Sequence, residues 1–296
     1  MRRRFATLDV FTSRRFAGNP LAVVLDPDGL DTAAMQTIAR EFGHPETVFV
    51  FPPDGPNNHR ARIRIFTPTR ELPFAGHPTV GTAVLLGLRD GAAAGNEIVL
   101  EEPIGPVRCT LTAVGDGQGN ARFAIPQLPA EAGPAPDSAA IATALGIAPA
   151  EVGFDAFRPA RWSAGNPFNF VPIASLAVIA RCRPNPGAFD TAFGAGGAAY
   201  LFCRETAEPG HAFHARMFAP SHGIPEDPAT GSAAAAFAGV LAAHTSDGAH
   251  TIMIEQGYEM GRPSLIRLAM TTLAGKPVVA TIGGDAVVVT EGTIEA

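Results

Sequence analysis

Two short motifs combine side chains able to move a proton with a backbone able to hold an anion. In Ala75-Gly76-His77-Pro78-Thr79 a histidine precedes a proline, and in Glu226-Asp227-Pro228-Ala229-Thr230-Gly231-Ser232 an aspartate does. Proline is favoured at the first position of a helix, where its missing N–H would have no intrahelical acceptor. Each motif therefore predicts a helix amino end at its proline, with free N–H groups beside His77 and Asp227 that attract an anion, a substrate carboxylate being the natural one. Gly76 and Gly231 let a ligand approach the backbone closely. Thr82, Thr230 and Ser232 add hydroxyls that can bind either substrate or helix carbonyls. A carboxyl and an imidazole beside a bound acid suit general acid–base transfer of a proton. The same residues also suit plain structural work, since aspartate before proline commonly caps a helix and histidine there can simply bond a carbonyl.

These motifs belong to a repeat. Gly18-Asn19-Pro20 returns as Gly165-Asn166-Pro167, Arg64-Ile65-Phe66-Thr67-Pro68-Thr69 as Arg216-Met217-Phe218-Ala219-Pro220-Ser221, and Pro78-Thr79-Val80-Gly81-Thr82-Ala83 as Pro228-Ala229-Thr230-Gly231-Ser232-Ala233. All three return in the same order about 150 residues later, the signature of a duplicated unit. Two domains follow, residues 1–130 and 131–296, joined through the proline-rich stretch 126–136, with the last strand able to return to the first half. Short strands are predicted at 5–11, 21–25, 47–51, 61–66, 97–101 and 107–111. Asp31 can cap a helix that runs to Phe42 and stops at Gly43. The helices predicted from Pro78 and over 229–242 are apolar nearly all round, so each must be buried on every side. The expected fold class is α+β: two duplicated domains, each a curled, mostly antiparallel sheet or barrel around a central apolar helix. Halves that face one another would bring both motifs to one cleft.

Composition narrows the partners. The 296 residues are 46% hydrophobic, enough for two domains of ordinary size. A net charge of −6, with no basic stripe interleaved with aromatics, argues against nucleic acid. The longest apolar run, 233–243, is too short to span a membrane, and Asp9 interrupts any leader-like start, so no membrane partner and a cytoplasmic location are expected. Cys109, Cys182 and Cys203 are widely spaced, suggesting buried thiols rather than disulfides or a zinc site. His211, His214 and His222 raise the alternative of a metal-dependent hydrolase. Strand alternation would however turn His211 and His214 to opposite faces, and no acidic residue sits beside them at ligand spacing. A small-acid binder that lost its chemistry is the other alternative.

Across nearly its whole length the chain resembles the PhzF-like family of phenazine biosynthesis, itself related to diaminopimelate epimerases and proline racemases. The segments that carry the likeness are Asp9-Val10-Phe11-Thr12, Phe16-Ala17-Gly18-Asn19-Pro20-Leu21-Ala22-Val23-Val24, Glu46-Thr47-Val48-Phe49, Glu71-Leu72-Pro73-Phe74-Ala75-Gly76-His77-Pro78-Thr79 and the Asp227 motif. The resemblance implies a diaminopimelate epimerase-like fold, a homodimer, no metal, no organic cofactor, and an isomerase acting on a small carboxylate-bearing substrate. It also implies Glu46 as the proton shuttle, with His77, Asp227, Gly76 and Ser232 as its polar companions. Related racemases use a cysteine on each side of the substrate carbon, and neither motif here contains one. A single-carboxyl shuttle, such as a proton shift on a conjugated ring, is the expected chemistry.

Overall fold

The computed structural model describes residues 1–54 and 58–296, apart from the side chains of residues 113 and 114. The chain divides into one unit made of Met1–Pro126 with Gly283–Ala296 and a second made of Gln127–Ile282. The division falls at Pro126 rather than at 130, and the final residues lie in the first unit, the return that the 131–296 reading left open for the last strand. The cause is a single long strand that starts in the second unit and runs into the first.

In the first unit the chain order is β1 (Arg2–Val10), β2 (Asn19–Val24), α1 (Thr32–Phe42), β3 (Glu46–Phe51), β4 (Ala61–Phe66), β5 (Glu71–Leu72), α2 (Gly76–Asp90), β6 (Glu97–Glu102), β7 (Gly105–Gly115) and β8 (Gln118–Ala124). The strands follow their side-chain alternation: in β4 Ala61, Ile63 and Ile65 are buried while Arg62 and Arg64 lie outward. β1 pairs antiparallel with β2, β2 parallel with β3, β3 antiparallel with β4, β4 parallel with β6, and β6, β7 and β8 antiparallel in turn.

The second unit runs β9 (Ala130–Glu131), α3 (Ser138–Leu145), β10 (Ala160–Ser163), β11 (Pro167–Pro172), α4 (Leu176–Arg181), α5 (Pro186–Phe193), β12 (Ala199–Cys203), β13 (Phe213–Ala219), β14 (Ile224–Asp227), α6 (Gly231–Ala242), β15 (Gly248–Gln256), β16 (Ser264–Leu273) and the long β17 (Lys276–Glu295). Its strands repeat the first unit's directions: β11–β12 parallel, β12–β13 antiparallel, β13–β15 parallel, β15–β16 antiparallel. The far part of β17 closes the first unit's sheet. It pairs with β1 on one side and β8 on the other, and the Val288 N–H donates to the Gly117 carbonyl at 2.8 Å. A closed sheet has no exposed edge.

Inside that ring lies α2, buried at every residue from Gly76 to Gly87 and packed on β1, β2, β3, β6, β7 and β8. Gly81 makes this possible: a Cβ there would come 2.6 Å from Leu21 Cδ2 and 2.7 Å from Val10 Cγ2. α6 is likewise buried from Ala233 to Ala242, and its Phe237 ring stacks on Phe170 and meets Tyr200, Phe202 and Phe213 edge-on or tilted. On the outside of the first unit, α1 is capped by the Asp31 carboxylate, which accepts from the Ala34 N–H at 2.8 Å, and ends at left-handed Gly43. No helix among the described residues is long and apolar enough to cross a membrane.

The helix starts differ from the proline-based expectation. α2 begins at Gly76, two residues before Pro78, and α6 at Gly231, three residues after Pro228. Pro78 sits within the first turn of α2, where N–H groups lack intrahelical acceptors, so it does not fix the start; Pro228 lies outside α6 altogether, before the Thr230 cap position. His77 is therefore inside its helix, whereas Asp227 ends the preceding strand.

The histidines of the second unit also behave differently from expectation. His211 Nδ1 and His214 Nδ1 do not diverge; each lies 2.6 Å from a different oxygen of Glu255, and His214 Nε2 is 3.0 Å from Glu259. His211 precedes β13, so strand alternation does not govern it. No cluster of ligating side chains suited to a metal occurs among the described residues. Buried His214 costs solvation, yet its two carboxylate partners hold its pKa up, at about 9, and the imidazoles and backbone N–H groups around Glu255 hold that carboxyl down, at about 2, against burial.

Two outcomes follow from this packing. Gly81→Val should lower the urea midpoint by the equivalent of about 1–3 kcal/mol, because two core side chains occupy the space it needs. The stability that charged His214 contributes is complete below pH 6.5 and fades as pH rises through 9. Charge-assisted bonds of this kind are worth about 1.5–3 kcal/mol, so the midpoint gap between wild type and His214→Gln should be widest near pH 6 and shrink toward pH 9.

Candidate functional site

In the first unit Glu46 is the opening residue of β3, opposite Leu21 of β2, and only 9% exposed. The first turn of α2 brings His77 to it: His77 Nε2 lies 3.4 Å from Glu46 Oε2. The imidazole bonds the Pro20 carbonyl, and since Nε2 has no hydrogen-bond partner among the described residues, Nδ1–H is the donor. Burial above all, then the nearby charge of His44, pushes the His77 pKa down to about 3 against the effect of the Pro20 bond. At neutral pH His77 is thus an uncharged ring whose Nε2 lone pair faces a buried carboxyl group. The Gly-Asn-Pro motif supplies the acceptor, with Pro20 near the start of β2 opposite Asp9. Gly76 opens the helix after Ala75, which has no side chain to cap the first N–H groups.

In the second unit Asp227 ends β14 and is buried. The Thr230 hydroxyl donates to Asp227 Oδ2 at 2.6 Å, while Gln256 Nε2 donates to the Asp227 carbonyl at 2.7 Å and to Thr230 Oγ1 at 3.0 Å. The Thr230 N–H returns a bond to Gln256 Oε1 at 3.2 Å. Thr230 therefore spends its hydroxyl on the carboxylate rather than on capping α6. Gly231 is buried at the helix start and Ser232 beside it is half-buried. The phenol of Tyr200 is fully buried with no hydrogen-bond partner among the described residues. Burial and then the charge of Asp227 push its pKa upward.

The two sites are not copies in their chemistry. Asn169 pairs with Ala199 as Leu21 and Glu46 do one step earlier in the first unit, so Ala198 stands where Glu46 would be. Arg64 and Arg216 are duplicated braces, each with two bonds to the carboxylate of the next short strand, Glu71 and Glu226. Sequence reasoning missed Glu102, Gln256 and Tyr200. Glu102 and Gln256 each end the strand that follows the buried helix, and that shared place in the repeat was a usable signal. A polar residue at a strand end otherwise reads as solvated.

The family profile described as "Phenazine biosynthesis-like protein" (PhzC-PhzF) matches residues 8–292. The chain is 50% identical over 99% of its length, and 98% of the relative's, to "Uncharacterized isomerase mll1393" of Mesorhizobium japonicum. It is 33% identical to the trans-2,3-dihydro-3-hydroxyanthranilate isomerase of Pseudomonas chlororaphis, over 98% of both chains. Among solved structures it superposes with TM-score 0.89 on the PhzF-family phenazine biosynthesis protein of Bacillus anthracis, at 26% identity and with all of both chains covered. With its buried carboxyl–imidazole pair and its duplicated, helix-centred units, the chain belongs to the phenazine biosynthesis-like family and is an isomerase of that family.

Proposed function

We propose that this isomerase moves a proton on a small carboxylate-bearing substrate, cyclic or amino-acid-like, and that Glu46 is the group that takes up the proton and gives it back. The observation that carries the reading is the 3.4 Å approach of a neutral imidazole to the buried Glu46 carboxyl. An imidazolium there would hold Glu46 as an ion-paired carboxylate. A neutral ring with its one N–H committed to Pro20 instead offers a lone pair, which accepts a hydrogen bond from the protonated acid and imposes no charge on the ionised one. Glu46 can then exist in both states that a shuttle needs. The uncapped N–H groups at the start of α2, around Gly76, suit the substrate carboxylate.

In the second unit the same reading gives Asp227 an acid–base role, oriented by Thr230 and Gln256, and assigns Thr230, Gly231 and Ser232 to substrate binding. No metal or organic cofactor enters the proposed chemistry. The substrate class follows the trans-2,3-dihydro-3-hydroxyanthranilate isomerases, and at 33% identity the class is carried over rather than the molecule. A homodimer, the family expectation, completes the proposal.

General acid–base transfer is worth about 100- to 10,000-fold, so Glu46→Gln should reduce deuterium incorporation from heavy water into a panel of cyclic and amino acids by at least about 100-fold. Exchange that survives Glu46→Gln would remove Glu46 from the mechanism, and binding without exchange in wild type would make the chain a binder. The acid–base role given to Asp227 predicts that Asp227→Asn costs at least about 10-fold in the same exchange assay.

A further inference from the structure

Glu102 is a buried carboxyl group that the chemistry above leaves unused. It ends β6, and its Oε1 lies 2.7 Å from the hydroxyl of Thr79 in α2. The same hydroxyl lies 2.8 Å from the carbonyl of Ala75, the residue before the helix. A threonine hydroxyl has one hydrogen, so it cannot make a full hydrogen bond to both acceptors at once. Both contacts are satisfied together when Glu102 carries a proton on Oε1, donates it to Thr79, and Thr79 donates to Ala75. The remaining oxygen, Oε2, is buried with no hydrogen-bond partner among the described residues, which is a far smaller cost for the carbonyl of a neutral acid than for a carboxylate.

The second unit holds an internal control. Gln256 ends β15, which pairs parallel with β13 and antiparallel with β16, as β6 pairs with β4 and β7. Gln256 Nε2 donates to the Thr230 hydroxyl, and Thr230 passes its own hydrogen on, there to Asp227. A side chain that is a permanent donor thus fills the place that Glu102 fills in the first unit. In the second unit this position therefore donates to a threonine in the segment that opens the central helix.

We propose that Glu102 is a positioning residue which, as a protonated acid, donates to Thr79 and through it fixes the Ala75-Gly76-His77 turn, so that ionising Glu102 loosens His77 and lowers activity at alkaline pH. The inference rests on the reading that His77 serves Glu46. On ionisation the carboxylate takes the Thr79 hydrogen for itself, and the Ala75 carbonyl loses that bond. The charged and titratable groups around Glu102 permit this. Arg62 and Arg64 of β4 and Glu71 of β5 line the adjoining cavity with its neighbour Glu101, but the two arginines are committed to Asp54 and Glu71. β7 presents the buried thiol of Cys109, and α2 presents Thr79. Burial consequently dominates and raises the Glu102 pKa to about 8, opposed by the Thr79 bond.

The test compares Glu102→Gln, Glu102→Leu, Thr79→Val and Thr79→Ser with wild type in the deuterium-exchange assay across pH 6–10, with NMR of 13C-glutamate-labelled protein and of the His77 ring. Glu102 should titrate near pH 8, and the His77 resonances should move with the same midpoint in wild type but not in Glu102→Gln. Glu102→Gln should keep the neutral-pH rate within about 3-fold and lose the alkaline fall. Glu102→Leu and Thr79→Val should lose about 10- to 100-fold in kcat, and Thr79→Ser should restore it. A Glu102 that titrates near pH 4.5, or an alkaline fall unchanged in Glu102→Gln, overturns the proposal. If exchange survives Glu46→Gln while His77 still follows Glu102, the Glu46 reading fails and the coupling of Glu102 to the turn stands.

Discussion

The central constraint of this fold is that a helix with no polar face has to be hidden completely. α2 is buried along twelve consecutive residues, Gly76–Gly87, and α6 from Ala233 to Ala242. Hydrophobic burial of this kind is non-directional, so it fixes where the helix lies but not how its ends are satisfied. The polar demands of each unit are therefore concentrated at the helix termini, the only places where buried backbone N–H groups lack partners within the helix. His77, Thr79 and Glu102 gather at one such end and Asp227, Thr230 and Gln256 at the other.

From that constraint comes the unusual electrostatics. A site assembled at the end of a deeply buried helix is itself buried, and burial disfavours charge. Burial keeps His77 neutral and Glu102 protonated. In the second unit the same cost is met differently: His214 and Glu255 are charged and buried together, each stabilising the other across bonds of 2.6 Å. One fold thus contains both solutions to an interior ionisable group, neutralisation and pairing. The pair braces a strand, whereas the neutral groups cluster where proton transfer is proposed.

Much of this arrangement was legible in the residues. Apolar composition on all sides of 78–88 and 229–242 could mean only enclosure, and the three repeated motifs implied that enclosure occurs twice. The Asp31 and Gly43 caps of α1 were readable because capping is a local matter of one side chain and one backbone angle. The exact helix starts were not, because proline can sit inside a first turn, as Pro78 does, or ahead of the helix, as Pro228 does. Nor were the partners: Gln256 reaches Thr230 and Glu102 reaches Thr79 only after a strand has crossed the sheet, and no local pattern encodes such a return. Glu46 lay between these cases. Its place just before the strand predicted at 47–51 was readable, but its proposed role came only through family likeness, since a glutamate after His44-Pro45 carries no burial signal of its own.

The route of β17 has a consequence for how the molecule comes into being. The first unit's ring is closed by residues beyond Gly283, which pair with both β1 and β8. On the ribosome those two strands must wait, with open edges, until the entire intervening unit has been synthesised. Assembly cannot proceed strictly from the amino terminus forward, and the nascent amino-terminal portion is exposed to intermolecular strand pairing for that interval. A chain severed anywhere before this final segment would lack the stave that completes its first barrel, even with every residue of Glu46, His77 and their surroundings intact.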